Sequence, residues 1–565
     1  MSDPAVARSA HDHAATLPAL AAPDGVHALL TNPDPAGHAP LLDALPAYIR
    51  RQRWFGAKDC SIVSVALADA VRLVEAPWLI YLVTLDVTLQ PTDGPRRTDA
   101  YLLPLTVRTE AEGQALFSIR PQAALAWLAV PDGRHLLYDA AGGPDFWVAL
   151  FDWWTSGPAR DSGRGTYAGQ ADAEVCAHTP NVAKPLTGEQ SNSAAILDGA
   201  YFLKLYRRLE RGPNPEVELL QHLTEAGFAH VPALHGTLTF AEGDQHVSVG
   251  VIQQALRVET DGWSYATDLV AAFLDRIVDR ALPDEPLPHD AWDREPETLP
   301  DWLETEAADL VQLSRMLGVR TAEMHLALAT GTADALRPEP GIPEAVQGLV
   351  DRVTAEMQVT RTMLTEQASS IADTLPFDLP SGEDWARVQA RLNRLTDVET
   401  TREKIRIHGD YHLGQTLIAD GDVYLLDFEG EPARSLDERR SRDYALRDVA
   451  GMLRSLEYAA YATLGPRMSD DHLRAWTDRL VRWCEALFRD AYLGVAGGAR
   501  FTQPPSARQP MLWAYLLDKT LYEVRYELGS RPDWAWIPLR GLRRLLQPAP
   551  VLMPIATAPA TDADG

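Results

Sequence analysis

The spacing of apolar residues changes once along this chain, and this change constrains the fold more than any other feature. Before about residue 210, apolar and aromatic residues form short runs between Pro and Gly turns, among them IVSVALADAVRL, PWLIYLVTLDVTL, DAYLLPLTVR, HLLYDAA and FWVALFDWW, as is typical of strands. After about residue 260, stretches such as LVAAFLDRIVDRAL repeat apolar residues every three or four positions, which predicts amphipathic helices. The sequence therefore predicts an α+β fold with a β-rich first half and a mostly helical second half.

The net charge limits the kinds of partner that this protein can bind, and the cysteine content bears on whether it has disulfides. The formal net charge is -27 and the pI is about 4.9, which argues against a broad surface for nucleic acid or an anionic membrane, because such partners require clustered Lys and Arg. One local pocket could still bind a small anion. Three dispersed cysteines predict no disulfide framework, and the N-terminus has no signal-peptide pattern. We expect a cytoplasmic protein without nucleic-acid or membrane partners.

The stretch HGDYHLGQ, residues 408–415, carries the clearest chemical signal, and it allows two interpretations. If it were a strand, His408, Asp410 and His412 would share one face, where zinc or iron could bind. However, the glycines at 409 and 414 indicate a loop, and no further Cys or His cluster supplies the remaining ligands. Ordinary polar loop residues are a third interpretation.

A phosphoryl-transfer loop explains the same residues together with the strand that follows them. Protein kinases carry a loop H-R-D-x-x-x-x-N and then an Asp beyond a short hairpin. His408, Asp410 and Gln415 have this spacing, and Asp427 follows the apolar strand VYLL. Asp410 is then the catalytic base and His408 braces the loop. Gln415 and Asp427 are the predicted Mg²⁺ ligands.

The kinase interpretation requires further residues upstream, and candidates occur in the right chain order. Lys204, in the strand AYFLKLYRR, is the candidate for the phosphate-binding lysine. Glu216 and Glu218 lie in the first turn of the next helix, and we predict Glu218 as the partner of Lys204. A lysine on an edge strand and acids that complement the helix dipole are the structural alternatives. The other ATP-binding residues are predicted in the loop TGEQSNSAA and in the linker near residue 255: Ser191, Asn192, Ser193, Gln254 and Leu256.

Several segments together resemble bacterial maltokinases. These segments are RQRWFGAKD, GEQSNS, FLKLYRR, HGDYHLGQ, DFEGEPARSLDERR, RDVAGMLRSLEYAA and LLDKTLYEVRYELGSRPDWAWIPLRGL. The resemblance implies a bilobal protein-kinase-like fold, related to aminoglycoside phosphotransferases, with an added cap subdomain. It also implies phosphorylation of maltose at the anomeric hydroxyl with ATP and Mg²⁺, which gives maltose 1-phosphate for α-glucan (glycogen) synthesis from trehalose and maltose.

The resemblance and the apolar pattern together predict the domain boundaries. The predicted domains are a disordered lead-in (1–40), an N-terminal cap subdomain (41–110), an intermediate β-rich subdomain (111–178), a kinase-like N-lobe core (179–257), a helical C-lobe with the catalytic loop (258–548) and a disordered tail (549–565). Residues 283–301, rich in Pro and acidic residues, are predicted to form an exposed insertion.

The sugar site is predicted from a C-terminal helix and from the two motif loops. In WAYLLDKTLYEVRYELGSRPDW, Tyr515, Lys519, Tyr522 and Tyr526 share one helix stripe, and aromatic faces suit the C–H patches of a sugar. A stripe of core aromatics is the structural alternative. The candidate sugar-binding residues are His412, Glu429, Arg434, Tyr522, Glu523, Tyr526 and Arg531.

The acceptor and the activity leave alternatives open. Glucosamine and glucose are alternative acceptors, because kinases of glucosamine share much of this pattern. An inactive kinase fold that serves as a regulatory partner in a glucan-synthesis complex is an alternative of another class, although Lys204, Asp410 and Asp427 are all present. We expect a monomer or dimer that binds ATP and a small sugar and associates functionally with trehalose synthase.

Overall fold

The structure, a computed structural model, describes most of the chain and divides it into two compact units. The described residues are 17–31, 35–74, 79–92, 94–186, 191–285, 287–288, 298–371, 375, 377–398 and 402–547. Unit 1 contains Met1–Arg257 and Leu425–Arg440, and unit 2 contains Val258–Tyr424 and Ser441–Gly565. The predicted tail, the first part of the predicted lead-in and most of the predicted insertion lie outside the described residues.

The strands and helices follow the change of apolar spacing. In chain order the strands are β1 (Ala19–Ala21), β2 (Ser61–Val74), β3 (Ile80–Gln90), β4 (Arg97–Thr109), β5 (Ala124–Val130), β6 (Gly133–Asp139), β7 (Arg160–Asp161), β8 (Thr166–Ala171), β9 (Ala183–Pro185), β10 (Ser193–Leu197), β11 (Tyr201–Leu205), β12 (Arg208–Leu209), β13 (Leu234–Glu242), β14 (Gln245–Gln254), β15 (Val258–Asp261), β16 (Glu339–Pro340), β17 (Glu403–Lys404), β18 (Thr416–Ala419) and β19 (Asp422–Leu425). The α-helices are α1 (Gly25–Thr31), α2 (Ala39–Arg51), α3 (Glu110–Ile119), α4 (Pro144–Ser156), α5 (Ala173–Ala177), α6 (Pro215–Glu225), α7 (Gly262–Ile277), α8 (Asp301–Glu306), α9 (Ala308–Leu328), α10 (Pro343–Ile371), α11 (Gly382–Asn393), α12 (Leu436–Arg440), α13 (Leu446–Leu464), α14 (Asp471–Ala496), α15 (Pro505–Ser530) and α16 (Trp536–Leu546).

Unit 1 is built on two sheets. The first has the order β1-β5-β6-β4-β3-β2, with β12 paired to β4; β1 is parallel to β5 and the other neighbours are antiparallel. The second has the order β7-β8-β13-β14-β11-β10-β9 and is antiparallel throughout. The predicted hairpin at Asp198 and Gly199 joins β10 to β11, and both residues have positive φ, at 50° and 68°, a conformation that Gly and Asp tolerate in turns.

Aromatic residues of α4 connect the cores of the two sheets within unit 1. Trp147, Phe151 and Trp154 are buried in one apolar cluster with Leu102 of the first sheet and Leu203 of the second. On the first sheet, a separate cluster buries α1 and α2. Because burial of large side chains contributes most of the favourable free energy of folding, these clusters make the sheets a rigid support for residues at their ends.

Unit 2 is mostly helical and has two small sheets, β15-β18-β19 and β16-β17. Phe273, Trp302 and Trp476 pack in one core cluster, with ring centroids 5.1–6.3 Å apart. Leu425, the last residue of β19, begins the segment that belongs to unit 1. No helix among the described residues is long and apolar enough to cross a membrane.

One predicted strand is wrong. The run FWVALFDWW forms α4, which begins at Pro144, a residue whose fixed φ suits the first turn of a helix. Its aromatic content resembles a strand, but its buried residues recur at helical steps: Phe146, Trp147, Leu150, Phe151, Trp153 and Trp154.

The predicted lead-in is also ordered in its second part. The expectation of disorder over 1–40 is wrong for 17–31 and 35–40, because Leu20 on β1 and Leu29 and Leu30 on α1 are buried against the first sheet. Tertiary contacts of this kind outweigh weak local propensity.

The predicted domain boundaries differ from the sheets of unit 1. The boundary after residue 110 lies in the first turn of α3, although the first sheet continues to β6. The boundary after residue 178 separates β8 from β9, which belong to the same second sheet. The boundary at residue 257 coincides with the first end of unit 1. The order of segments along the chain does not show which strands share a sheet, because the strands that complete each sheet come later in the sequence.

Candidate active site

The ammonium group of Lys204 lies among three carboxylates in unit 1. Its Nζ atom is 2.9 Å from Glu216 Oε2, 2.8 Å from Asp427 Oδ1 and 2.6 Å from Glu429 Oε1. Burial alone would lower the pKa of Lys204, but the three carboxylates hold that pKa well above its ordinary value. Lys204 is therefore a fixed cation, supported by the central strand β11.

Glu216 is the helix residue that pairs with Lys204, so the predicted pairing with Glu218 is wrong. Glu216 lies on the buried face of α6 with Leu219, Leu220 and Leu223, which recur at helical steps. Glu218 lies outside this buried set, and its carboxylate accepts two hydrogen bonds from a guanidinium in the same unit, at 2.9 and 2.6 Å.

Several neutral donors fix the Glu216 carboxylate. The side chain of the N-cap residue Asn214 accepts from the backbone N–H of Glu216 at 2.8 Å, which orients the first turn of α6. Tyr206 donates its hydroxyl to Glu216 Oε2 at 2.7 Å, and Gln253 donates to Oε1 at 3.3 Å. These contacts satisfy a carboxylate that is only 2% exposed and would otherwise be costly to bury.

Asp427 and Glu429 follow β19 on a tight turn. Asp427 has a φ of 58°, a left-handed conformation that Asp and Asn adopt more readily than other non-glycine residues. Burial raises the pKa of Glu429 to about 7, although Lys204 opposes this shift. Glu429, predicted as a sugar-binding residue, accepts from Asn192 Nδ2 at 2.6 Å and lies in the Lys204 cluster.

The cluster fits a divalent cation. Ligand oxygens of Glu216, Asp427 and Glu429 all lie within 4.8 Å of one another, and carboxylate oxygens are the donors that Mg²⁺ prefers. When all three carboxylates are ionised, they leave an excess of two negative charges over the one ammonium, which a divalent ion would balance. Asp427 has the most exposed side chain of the three, at 39%, and is the residue best placed to meet an incoming ion.

The predicted phosphate-covering loop is only partly described, since residues 187–190 lie outside the described residues. Asn192 Oδ1 accepts from the backbone N–H of Arg207 at 3.1 Å, and Ser193 Oγ accepts from Arg207 Nε at 2.8 Å. The Arg207 guanidinium also donates to both Asp139 oxygens, at 2.9 and 2.7 Å. A buried arginine thus ties this loop to β6, while Ser191 is exposed.

The predicted linker residues end the strand β14. Gln254 is exposed, and its backbone N–H donates to Ala233 O at 2.9 Å. Leu256 is half-buried just beyond. Both remain predictions as nucleotide contacts.

In unit 2, the loop that carries Asp410 is held by a buried carboxylate that the sequence analysis did not identify. Asp448 on α13 accepts from the backbone N–H groups of His408 at 2.7 Å and Gly409 at 2.9 Å. His325 donates to Asp448 Oδ2 at 3.2 Å. The backbone N–H of Asp410 donates to His408 Nδ1 at 3.4 Å, a contact that suits the bracing role predicted for His408.

We expect Asp448→Asn to cost about 3 kcal/mol of unfolding free energy, because it breaks a buried charge pair. Burial alone would raise the pKa of Asp448, but the hydrogen bond and charge of His325 and the Gly409 N–H lower it below its ordinary value. A lowered pKa in the folded state stabilises the fold above pH about 4, and this contribution disappears as pH falls through the folded pKa.

Urea unfolding of the wild type and of Asp448→Asn at pH 7 and at acidic pH measures this effect. The difference between the two proteins should be largest at pH 7 and should shrink on acidification. A difference that grows as pH falls would contradict the assignment.

The carboxylate of Asp410 has a cation beside it. Lys519 Nζ, on α15, lies 3.4 Å from Asp410 Oδ1 and 5.2 Å from the centre of the Tyr522 ring. His412 Nε2 lies 3.9 Å from Asp410 Oδ2, and its Nδ1 accepts from Gly414 N at 3.1 Å. The structure therefore brings Asp410, His412, Lys519 and Tyr522 together in one part of unit 2.

The other candidate sugar residues of α15 are partly used by the fold. Tyr522 and Tyr526 stack with ring centroids 6.3 Å apart. Glu523 is paired with the buried Arg454 at 2.6 Å, and Arg531, just after α15, is paired with a buried carboxylate of the helix at 2.6 Å. Of this set, the two tyrosine rings present the largest apolar faces.

The remaining candidates lie elsewhere. Arg434, in unit 1, forms an ion pair with Glu431 at 2.8 Å. Gln415 ends the turn Leu413–Gln415 in unit 2 and stays a prediction as a Mg²⁺ ligand. Among the described residues, the ligand atoms of His408, Asp410 and His412 do not form a metal-type group, so the zinc interpretation has no support from geometry.

The sequence contains a pattern that indicates the role of three further residues near these sites. The buried periodicity of α6 points to Glu216. Asp448 lies in the segment RDVAGM, where a lone acid among apolar residues indicates a buried partner. Lys519 was placed on the aromatic stripe but was not among the candidate site residues.

Comparison with known proteins finds one matching family model and relatives that cover most of this chain. Residues 48–142 match the family model of the maltokinase N-terminal cap domain. A glucosamine kinase of Streptacidiphilus jiangxiensis is 27% identical over 478 residues, which cover 80% of this chain and 92% of the relative. A glucosamine kinase of Mycolicibacterium smegmatis is 27% identical over 374 residues, which cover 64% of this chain and 79% of the relative.

A solved structure shares the fold. It is a glucosamine kinase in complex with glucosamine, ADP and inorganic phosphate, with a TM-score of 0.55 and 20% identity, covering 89% of this chain and 97% of that chain. The chain is therefore a protein of kinase-like α+β fold, as predicted. More particularly, its residues 48–142 match the maltokinase N-terminal cap domain, which agrees with the resemblance to maltokinases. The predicted enzyme class agrees with both relatives, which are named sugar kinases.

Proposed function

We propose that this chain transfers the γ-phosphoryl group of ATP to a hydroxyl group of a sugar. The observation that carries the proposal is the cluster of Lys204 with Glu216, Asp427 and Glu429, in which every Nζ–oxygen distance is at most 2.9 Å. A nucleoside triphosphate with a divalent ion requires a cation for its phosphates and carboxylates for the metal. The Lys204 cluster contains both.

We assign the nucleotide and the cation to residues of unit 1. In unit 1, Lys204 binds phosphate oxygens, Glu216 positions Lys204, and Asp427 and Glu429 hold Mg²⁺. When bound, the ion neutralises charge on the phosphates. The proposal retains Gln415 as a further Mg²⁺ ligand, and it retains the predicted nucleotide contacts: Ser191, Asn192, Ser193, Gln254 and Leu256. Glu218, which does not contact Lys204, drops out of the nucleotide site.

Asp410 acts on the acceptor. As the sugar oxygen bonds to the γ-phosphorus, the bond from that phosphorus to the β,γ-bridging oxygen breaks, and ADP leaves with the bond electrons. The hydroxyl proton passes to the Asp410 carboxylate and then to solvent. Lys519, 3.4 Å away, can donate a hydrogen bond to a sugar hydroxyl.

For the acceptor we propose maltose, phosphorylated at its anomeric hydroxyl to give maltose 1-phosphate for α-glucan synthesis. A cation beside Asp410 favours a neutral sugar over a protonated amine, because like charges repel. The paired rings of Tyr522 and Tyr526 offer two neighbouring aromatic faces, which suits a disaccharide. Glucosamine is the second candidate, and the names of both relatives favour it.

The experiment is ADP release with maltose, glucosamine, glucose and trehalose, each with and without Mg²⁺, followed by identification of the phosphorylated product. We expect the highest kcat/KM for maltose. A preference for glucosamine would replace the acceptor and leave the reaction class intact. No sugar-dependent ADP release from a folded protein that binds Mg²⁺ and ADP would favour the inactive regulatory alternative.

Lys519→Met should weaken the preference for maltose over glucosamine. Loss of a charge-assisted hydrogen bond costs about 1.5–3 kcal/mol, so kcat/KM for maltose should fall about 10- to 100-fold. For glucosamine, relief of repulsion offsets part of this loss, and the ratio of the two kcat/KM values should move toward glucosamine.

Lys404→Met is the matched control, because Lys404 pairs with Glu339 in the same unit at 3.3 Å and has no role in the proposal. Its ratio of kcat/KM values should remain that of the wild type. An unchanged ratio in Lys519→Met would remove the argument for a neutral acceptor.

A further inference from the structure

The turn that carries Asp427 and Glu429 receives hydrogen bonds on its backbone from the side chain of Arg439. Arg439 on α12 donates from Nη1 to the backbone carbonyl of Glu429 at 3.0 Å and from Nε to the backbone carbonyl of Arg434 at 3.3 Å. Its side chain is 5% exposed. The guanidinium therefore fixes the backbone of Glu429 and of Arg434, which follows it in the same turn region.

The fit between Arg439 and this turn is close. Gly430 has a φ of 74°, and a Cβ atom added there would lie 3.3 Å from Arg439 Cγ and 3.4 Å from Arg439 Cβ. A side chain at this position would thus be strained by the backbone and would also press on the arginine stem. The glycine in DFEGEP lets Arg439 approach the chain next to Glu429.

Arg439 is itself anchored to the first sheet of unit 1. Its Nη2 group forms an ion pair with Glu210, which directly follows β12. That strand pairs with β4, with Arg208 opposite Tyr101, inside the region that matches the maltokinase cap domain. Glu210 and Arg439 thus connect the first sheet of unit 1 to the backbone of the turn that carries Asp427 and Glu429.

We propose that Arg439 is a positioning residue for the divalent-cation site, and that Glu210 is its anchor. This inference rests on the proposed function, because it assigns the cation to Asp427 and Glu429. Arg439 does not touch the cation or the nucleotide. It fixes the turn that presents the two carboxylates, so that their oxygens stay close enough for one ion.

Arg439→Lys keeps the positive charge and removes the planar group that reaches two carbonyls and one carboxylate together. Partners that orient metal ligands typically change metal affinity 10- to 100-fold. Since Arg439 acts on the backbone, we expect the Mg²⁺ dissociation constant, measured by calorimetry on the ADP-saturated protein, to rise about 10-fold. The Mg²⁺ concentration for half-maximal ADP release should rise in parallel, and the KM for the sugar should not change.

Arg164→Lys is the matched control. Arg164 forms an Arg–Glu pair of the same kind with Glu242, at 3.0 and 3.4 Å, in the same unit, so its Mg²⁺ affinity should equal that of the wild type. Glu210→Gln tests the anchor independently if Arg439→Lys does not fold, and it should raise the Mg²⁺ dissociation constant about 3- to 10-fold.

The outcomes separate this inference from the proposed function. A folded Arg439→Lys or Glu210→Gln variant with the Mg²⁺ affinity of the wild type overturns the positioning role alone. A wild-type protein that binds no Mg²⁺ in the presence of ADP overturns both. Weaker Mg²⁺ binding in the two variants but not in Arg164→Lys supports the inference, even if the acceptor sugar is not maltose.

Discussion

Asp427→Asn is expected to reduce Mg²⁺-dependent turnover by about 10²–10³-fold, the usual loss when one electrostatic contact to the transition state is removed. Asn has nearly the same size as Asp and no negative charge, so this variant tests the effect of the charge alone. Asp427 has a φ of 58°, and Asn tolerates this conformation, whereas Ala would add backbone strain. ADP release at saturating ATP, sugar and Mg²⁺ gives the rate, and calorimetry with Mg²⁺ and ADP gives the loss of metal affinity.

Asp420→Asn is the matched control for this substitution. Asp420 also has a positive φ, at 49°, and is exposed in the turn between β18 and β19, so the same chemical change there should leave turnover unaltered. Normal Mg²⁺-dependent turnover in a folded Asp427→Asn variant would remove Asp427 from the cation site and leave Glu429 as the main ligand.

The change of apolar spacing was enough to predict the fold class, because it reflects a physical requirement. A strand buries alternate residues and a helix buries every third or fourth, so a chain that changes from one spacing to the other must change its architecture. The position of Lys204 could be predicted for a similar reason. It interrupts an apolar strand, and a buried ammonium requires acidic partners.

The choice between two near neighbours was missed. Glu216 and Glu218 have the same type and lie in the same helical turn, but Glu216 belongs to the buried face of α6 and meets Lys204. The aromatic run of α4 fits either a strand or a helix in isolation. The position of Arg439 depends on contacts with distant segments, and one sequence read alone contains no record of such contacts.

The largest effect is expected for Asp410→Asn. This variant keeps the size of the side chain and one hydrogen-bond acceptor, and it removes the group that takes the proton from the sugar hydroxyl. A positioned base typically contributes about 10²–10⁴-fold, so kcat should fall by that factor. The KM for ATP should remain close to that of the wild type, because the proposal assigns nucleotide binding to Lys204, Asp427 and Glu429.

A measurement of stability tests whether the lower kcat of Asp410→Asn comes from unfolding. Asp410→Asn should retain the unfolding free energy of the wild type within about 1 kcal/mol, because the Asp410 carboxylate is partly exposed and exposed ion pairs contribute little. Asp518→Asn is the control, since Asp518 precedes Lys519 and pairs with Arg352 at 3.1 Å; it should keep most of its turnover. A folded Asp410→Asn variant with wild-type kcat would end the general-base mechanism. Stoichiometric zinc that a His412→Ala variant loses together with its activity would instead support the metal interpretation of His408, Asp410 and His412.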